Sequence, residues 1–147
     1  MRYARFSEQR GQATVEFSFA LLFVAAFLFV LTDISIICFD WISLQYAANE
    51  AARYGATGRH DMNAEGNALS REASILSRVQ AIVPTATVSY PDGSGAGGAR
   101  QFVRLRLENT MTLSPVSHTL LQLMGNRGDS YPIRVETVVR NEPFDTA

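Results

Sequence analysis

Hydrophobic residues are concentrated in one continuous run near the start of the chain. The segment from Phe17 to Phe39 is hydrophobic at all but four positions, and its first charged residue is Asp33. A helix rises about 1.5 Å per residue, so this segment reaches about 34 Å, enough to cross a hydrocarbon core of about 30 Å. The pattern therefore predicts one transmembrane helix over residues 17–39.

Two other interpretations of this run are weaker. A buried helix in a soluble core would need more surrounding protein than the other residues offer, because the run is apolar on all sides. A secretory signal peptide would have a small-x-small cleavage site after Leu31, and none follows. An uncleaved anchor is favoured. Residues 1–11, before the run, contain three arginines and one glutamate, which predicts a cytoplasmic N-terminus and a head on the other side.

The helix is predicted to continue beyond the membrane through an alanine-rich stretch. Ala47, Ala48, Ala51 and Ala52 share one face, and the first stop signals are glycines 55 and 58. A straight helix over residues 12–57 measures about 69 Å, which exceeds the thickness of a bilayer. The small alanine side chains would let another helix or a sheet approach closely, although helix propensity alone also explains them.

The rest of the chain predicts a second helix and three strands. Helical spacing covers residues 64–83 and ends at Pro84. Strands are predicted over 85–90, 102–108 and 133–140, with Val103, Leu105 and Leu107 inward and the intervening charges on a solvated face. Residues 91–98 read as a flexible glycine-rich turn, and 115–124 as a short helix or ordered loop. The fold class is α+β, with a three-stranded antiparallel sheet covering the protruding helix.

Composition excludes several kinds of chemistry. The 147 residues include one cysteine, two histidines and no lysine, and the formal net charge is −1. An internal disulfide framework, a four-thiolate metal site, Schiff-base chemistry and a basic nucleic-acid face are therefore not expected. Ser117–His118 and His60–Asp61 are only sequence neighbours, without a supporting motif. We expect neither an enzyme, nor a cofactor or metal, nor a nucleic-acid partner.

A short motif directly precedes the apolar run. Gly11 is followed after four residues by Glu16 and Phe17, and a glutamate at the mouth of a membrane helix is costly. This motif, behind a short basic leader, resembles a prepilin processing site of the Flp/Tad type. The resemblance implies that a prepilin peptidase cuts between Gly11 and Gln12. It also implies that Glu16 pairs with the freed α-amino group of a neighbouring subunit and sets the register between subunits; the alternative is a carboxylate in the headgroup region.

The motif and the alanine-rich segment 45–56 together resemble the TadE-like pseudopilins of tight-adherence pilus systems. The resemblance implies a pilin-like fold divided into a leader (1–11), a transmembrane and protruding helix (12–58) and a periplasmic or extracellular head (59–147). It implies a pseudopilin or minor pilin of a type IVc pilus, a relative of type II secretion machinery, held in the bacterial inner membrane or within the pilus. The implied partners are prepilin peptidase, other pilins and pseudopilins, the inner-membrane assembly platform and membrane lipid.

The sequence leaves open the roles of Asp33, Asp40 and Cys38 and two alternative functions. Asp33 and Asp40 share a helix face, and either pair with arginines of adjacent subunits or, the favoured interpretation, mark the outer interface where a carboxylate reaches water. Cys38 could form an intermolecular disulfide, but a buried small hydrophobe is favoured. The alternative functions are a signal-anchored periplasmic binding module that joins no filament, and an exported enzyme tethered by its N-terminus.

Overall fold

The computed structural model describes the backbone of residues 4–126, 128 and 130–143, and the side chains within those ranges from residue 11 onward. The described chain confirms the α+β class. The helices are α1 (Ala4–Ala56), α2 (Arg71–Gln80) and α3 (Pro115–Leu123); the strands are β1 (Thr87–Ser89), β2 (Phe102–Met111) and β3 (Tyr131–Arg140). Both strand pairs are antiparallel, and the sheet order is β1-β2-β3. The strands differ from the predicted ranges only at their ends.

The chain divides into two compact units. The first contains α1 as far as Ile36, together with the segment that carries α3. The second begins at Ile37 and contains the rest of α1, α2 and the whole sheet. Most contacts of each unit are made between residues of that same unit.

The core of the second unit is built around the alanine face of α1. Ala47, Ala48 and Ala51 are fully buried, as is Leu44 one turn earlier. They belong to one hydrophobic cluster with three kinds of neighbour: residues of α2, inward residues of β2, and Val135 of β3. Because alanine has only a Cβ, the sheet and α2 can approach the helix closely. The close approach expected from the alanines is therefore confirmed.

The opposite face of the sheet is charged, as the alternation in β2 and β3 predicts. Arg106 and Glu136 pair across the strands at 2.6 Å, and Arg134 and Glu108 pair at 3.1 Å. All four side chains keep about a third or more of their surface in solvent, so each pair adds at most about 1 kcal/mol. This face is a solvated surface with cross-strand ion pairs.

The second helix is shorter than predicted, because a polar loop replaces its first two turns. The helix begins at Arg71 rather than at residue 64. Before it, the Asn63 side chain accepts hydrogen bonds from the backbone N–H of Glu65 and of Asn67, and Gly66 has φ +81; such local bonds compete with helix formation. Ser70 then caps the helix by accepting from the N–H of Ala73 at 3.2 Å.

The same loop is tied to α1 and α2 through one carboxylate. Asp61 accepts hydrogen bonds from Arg78 Nη2 at 3.0 Å and from the Tyr54 hydroxyl at 2.8 Å. The bond from Arg78, followed by the bond from Tyr54, holds the pKa of the Asp61 carboxyl below its usual range. The carboxylate therefore stays ionised to a lower pH than a free aspartate does, and it anchors the loop.

Hydrogen bonds join the glycine-rich turn to α2, and its flexibility stays a prediction. Arg71 Nη2 donates to the Gly97 carbonyl at 2.7 Å, and the Ala96 N–H donates to Glu72 Oε1 at 3.2 Å. Gly97 has φ +67, and a Cβ at this position would lie 2.6 Å from Cγ2 of Val103. Only glycine fits there, so the turn follows one defined path against the core.

Asn141 is expected to be the most important polar side chain for this turn. It is only 3% exposed, and its Nδ2 donates to the carbonyls of Ala96 at 3.0 Å and Gly98 at 2.8 Å. Asn141→Ala leaves both carbonyls without this donor, so we expect a loss of about 1–3 kcal/mol in unfolding free energy. Chemical unfolding of the full chain in detergent measures it. Asn49→Ala, at an exposed site on α1, is the matched control; equal stability of the two variants would contradict the role.

Candidate processing and subunit-contact site

The predicted scissile bond lies at an exposed position on α1. Gly11 and Gln12 are both exposed, and among the described residues no atom lies within 4 Å of a Cβ added at Gly11. The described part of the fold therefore requires glycine here neither for space nor for an unusual backbone conformation. If glycine is required at this position, the requirement would come from another molecule, such as a peptidase that cuts this bond.

Glu16 lies one helical turn beyond Gln12, and the two side chains touch. Gln12 Nε2 donates to Glu16 Oε1 at 3.0 Å, and both residues are exposed. Side chains four residues apart meet on one helix face, which explains the contact. This contact lies within one chain and is separate from the pairing with a neighbouring α-amino group that the resemblance implies. Glu16 is not buried by its own chain, so burial of this carboxylate would require a second molecule.

The apolar run is exposed along the described helix. Phe17 is 68% exposed and Phe39 is 71% exposed. One described helix is long and apolar enough to cross a membrane, and it comprises residues 11–56 of α1. Because exposed phenylalanine and leucine side chains are unfavourable in water, this surface is suited to a lipid environment. The location of the run near the N-terminus is consistent with membrane anchoring.

Asp33 has a protein partner, which corrects the expectation that this carboxylate reaches water. It is 7% exposed, and it accepts hydrogen bonds from Ser114 Oγ at 2.6 Å and from the Ser114 backbone N–H at 3.3 Å. Ser114 is also the N-cap of α3, which has Pro115 at its first position. Serine before proline is a sequence signal for a helix start, but nothing in the sequence links that start to Asp33.

Asp40 also has a partner, within the second unit. Asn109 Nδ2 donates to Asp40 Oδ2 at 2.7 Å, and Asn109 Oδ1 accepts from the Thr85 hydroxyl at 2.8 Å. Asn109 is 6% exposed, so this short chain of hydrogen bonds satisfies a buried amide. Both carboxylates are therefore hydrogen-bonded inside the chain.

The structure also places three other residues that the sequence singled out: Cys38, His60 and Ser117. Cys38 is exposed, so its interpretation as a buried hydrophobe was wrong. His60 Nδ1 lies 3.1 Å from the Leu69 carbonyl, and the Ser117 N–H donates to the capping Ser114 hydroxyl at 3.3 Å. Over the described residues, no group of three histidine, cysteine or acidic side chains is placed to hold a metal ion.

The family comparison covers the helix that carries these residues. Residues 11–53 match the family of TadE-like proteins. The chain carries a TadE-like domain. The matched segment begins at Gly11, contains Glu16 and the apolar run, and ends at Arg53. No curated protein and no solved structure gives a significant match.

The TadE-like domain lies entirely within α1, which ends three residues later at Ala56. It therefore includes both sequence motifs: the glycine–glutamate pair before the apolar run and the alanine face after it. The family is associated with the Tad pilus, which confirms the resemblance seen in the sequence. The sheet, α2 and α3 lie outside the matched residues.

Proposed function

We propose that this chain is a minor pilin or pseudopilin that acts as a structural or assembly component of a tight-adherence (type IVc) pilus. The observation that carries the proposal is the start of the TadE-like domain, where Gly11 and Glu16 lie exposed on the helix that continues into the apolar run. In this role the chain is a substrate of prepilin peptidase and a partner of other pilins, rather than an enzyme.

Processing would occur at the Gly11–Gln12 bond. Cleavage removes residues 1–11, which contain three arginines and one glutamate, so the formal net charge changes from −1 to −3. The loss of these charges removes a polar barrier at the cytoplasmic end of the apolar helix. A helix without this leader can move along its axis more easily, as transfer from the membrane into a filament requires.

Cleavage would create an ammonium group at Gln12, which could lie next to the Glu16 carboxylate of a neighbouring subunit. Glu16 lies one helical turn beyond Gln12, and their side chains already touch at 3.0 Å. Packing α1 against α1 of a neighbour would remove these charges from water, and a buried carboxylate then needs a cationic partner. The amine of the adjacent subunit provides it. Because the pair forms at one axial offset only, it would set the register between subunits.

The basic leader and the single apolar helix support a defined orientation. We place the N-terminus in the cytoplasm and the head, residues 59–147, in the periplasm. The mature helix and the head reach the filament through the inner-membrane assembly platform, with membrane lipid around α1 before that step. The exposed apolar surface of α1 supports both environments, since it can contact either acyl chains or the helices of other pilins.

Co-expression with the prepilin peptidase of the same system tests this function. We expect intact-mass analysis to show a product that begins at Gln12, and we expect this product in pili sheared from cells. A catalytically inactive peptidase is the control and should leave the full-length chain. A full-length chain beside active peptidase, monomeric in detergent, would instead support a signal-anchored binding module.

A further inference from the structure

The third helix is attached to the apolar helix at the place where the uncharged run ends. Asp33 is the first charge after Phe17, and it holds Ser114 through the hydroxyl at 2.6 Å and the backbone N–H at 3.3 Å. Ser114 caps α3, so this contact fixes the start of α3 beside α1. The two segments belong to the same compact unit.

One edge of α3 is apolar and exposed. Leu123 and Met124 are 81% and 83% exposed, and Leu120, one turn earlier, is 42% exposed. Ser117 and, in part, Leu121 lie on the buried side. Adjacent leucine and methionine side chains with this exposure are unfavourable in water, so the edge requires an apolar environment.

The segment around α3 carries no acidic or basic side chain apart from His118. The nearest such residues in the sequence are Glu108 and Arg127. Solvated helices of soluble proteins usually carry charges on their outer face. The lack of charge over this long stretch therefore distinguishes α3 from the rest of the head, where the outer sheet face has cross-strand ion pairs.

We propose that α3 is an interfacial helix, which inserts its Leu120–Leu123–Met124 edge into the outer leaflet of the membrane that α1 spans. The proposal rests on the proposed function only in requiring that α1 is membrane-anchored. Asp33 and Ser114 attach α3 to α1 beside the apolar surface, so the exposed edge continues a surface already suited to lipid. Amphipathic helices at this depth keep one face in the boundary between headgroups and acyl chains.

The arrangement also explains how an aspartate is tolerated at the end of the run. The run from Phe17 to Phe39 measures about 34 Å and slightly exceeds the hydrocarbon core of about 30 Å. Asp33 lies about 9 Å before the outer end of this run, so it lies close to the outer boundary of the membrane. The carboxylate needs no water there, because the first turn of α3 supplies donors for it. The positive end of the α3 dipole also faces this carboxylate, which stabilises its charge.

The apolar side chains of this edge match the interior of a bilayer better than they match a charged protein surface. The edge itself consists of three apolar side chains and contains no acidic or basic one, so its binding should not depend on anionic lipid. Vesicles made only of phosphatidylcholine are therefore sufficient as the probe. A second copy of the chain could also cover the edge, but its effect would depend on the protein-to-lipid ratio.

Site-specific fluorescence in vesicles tests the proposal on the full chain. In a Cys38→Ser background, cysteines introduced as Leu123→Cys, Gln122→Cys and Phe27→Cys each carry an environment-sensitive dye. The protein is reconstituted in phosphatidylcholine vesicles with nitroxide lipids of known depth. We expect the dye at 123 to shift to the blue and lose most of its emission to shallow nitroxides. The dye at 122, on the polar side of α3, should stay in water.

The three labelled positions distinguish failure of the membrane anchor from failure of the interfacial helix. If the dye at 27 is quenched by deep nitroxides while the dyes at 123 and 122 behave alike, the anchor stands and the interfacial helix is refuted. If the dye at 27 is not quenched, the membrane anchor itself fails. A blue shift at 123 that disappears on dilution of protein in lipid would assign the edge to a second copy and would also refute the proposal.

Discussion

Replacement of Gly11 by alanine is expected to abolish removal of the first 11 residues without changing the fold. No atom of the described residues lies within 4 Å of a Cβ at this position, so alanine fits among them. A peptidase that acts on the Gly11–Gln12 bond must bring its catalytic groups close to the backbone, and glycine leaves room for that approach. Intact-mass analysis after co-expression with prepilin peptidase should show the full-length chain for Gly11→Ala and the shortened chain for the wild type.

Ser18→Ala is the matched control for this substitution. Ser18 is exposed on the same helix, and its hydroxyl only donates to the Thr14 carbonyl at 2.8 Å. We expect this variant to be processed like the wild type. Efficient processing of Gly11→Ala at the same bond would remove the assigned role of Gly11, and cleavage at another bond would relocate the site.

Substitution of Glu16 by glutamine is expected to separate processing from assembly. Glutamine keeps the length of the side chain and can still accept from Gln12, but it loses the charge that would pair with a neighbouring amine. A hydrogen bond to a charged group contributes about 1.5–3 kcal/mol, which corresponds to about a tenfold to hundredfold change in binding. We expect normal cleavage of Glu16→Gln, and a fall of about that size in the fraction found in sheared pili.

Glu50→Gln provides the comparison within the same helix. Glu50 is also on α1, and its ion pair with Arg53 is long, at 3.9 Å, and exposed. Its loss should leave both processing and assembly near the wild-type level. If Glu16→Gln enters pili as well as Glu50→Gln does, the register between subunits does not depend on the Glu16 charge. The ratio of pilus-bound to membrane-bound protein, measured by quantitative immunoblot, decides this.

The main elements could be predicted because each has a strong periodic pattern. The apolar run and the alanine face define α1 to within a residue or two of its observed end at Ala56. The alternation in β2 and β3 correctly separates buried positions such as Leu105 from charged ones such as Arg106. The glycine–glutamate motif also falls in the segment that matches the TadE-like family.

The contacts between distant residues could not be predicted, since no local pattern records them. Asp33 bonds to Ser114, which is 81 positions later, and Asn141 bonds to a turn more than 40 positions earlier. The shortened start of α2 depends on side-chain bonds of Asn63 that compete with helix formation. A residue type alone does not reveal which of these bonds will form.

The alanine face of α1 has a practical consequence for dividing the protein. Four residues of α1 form one wall of the core that contains Leu105 and Val135: Leu44, Ala47, Ala48 and Ala51. A head fragment cut at Arg59, just after the helix, would lose that wall and expose the inner face of its sheet to water. The compact unit that contains this core begins at Ile37. A soluble version of the head that keeps this unit whole must therefore retain about two fifths of the family-matched segment, with its exposed apolar residues replaced rather than removed.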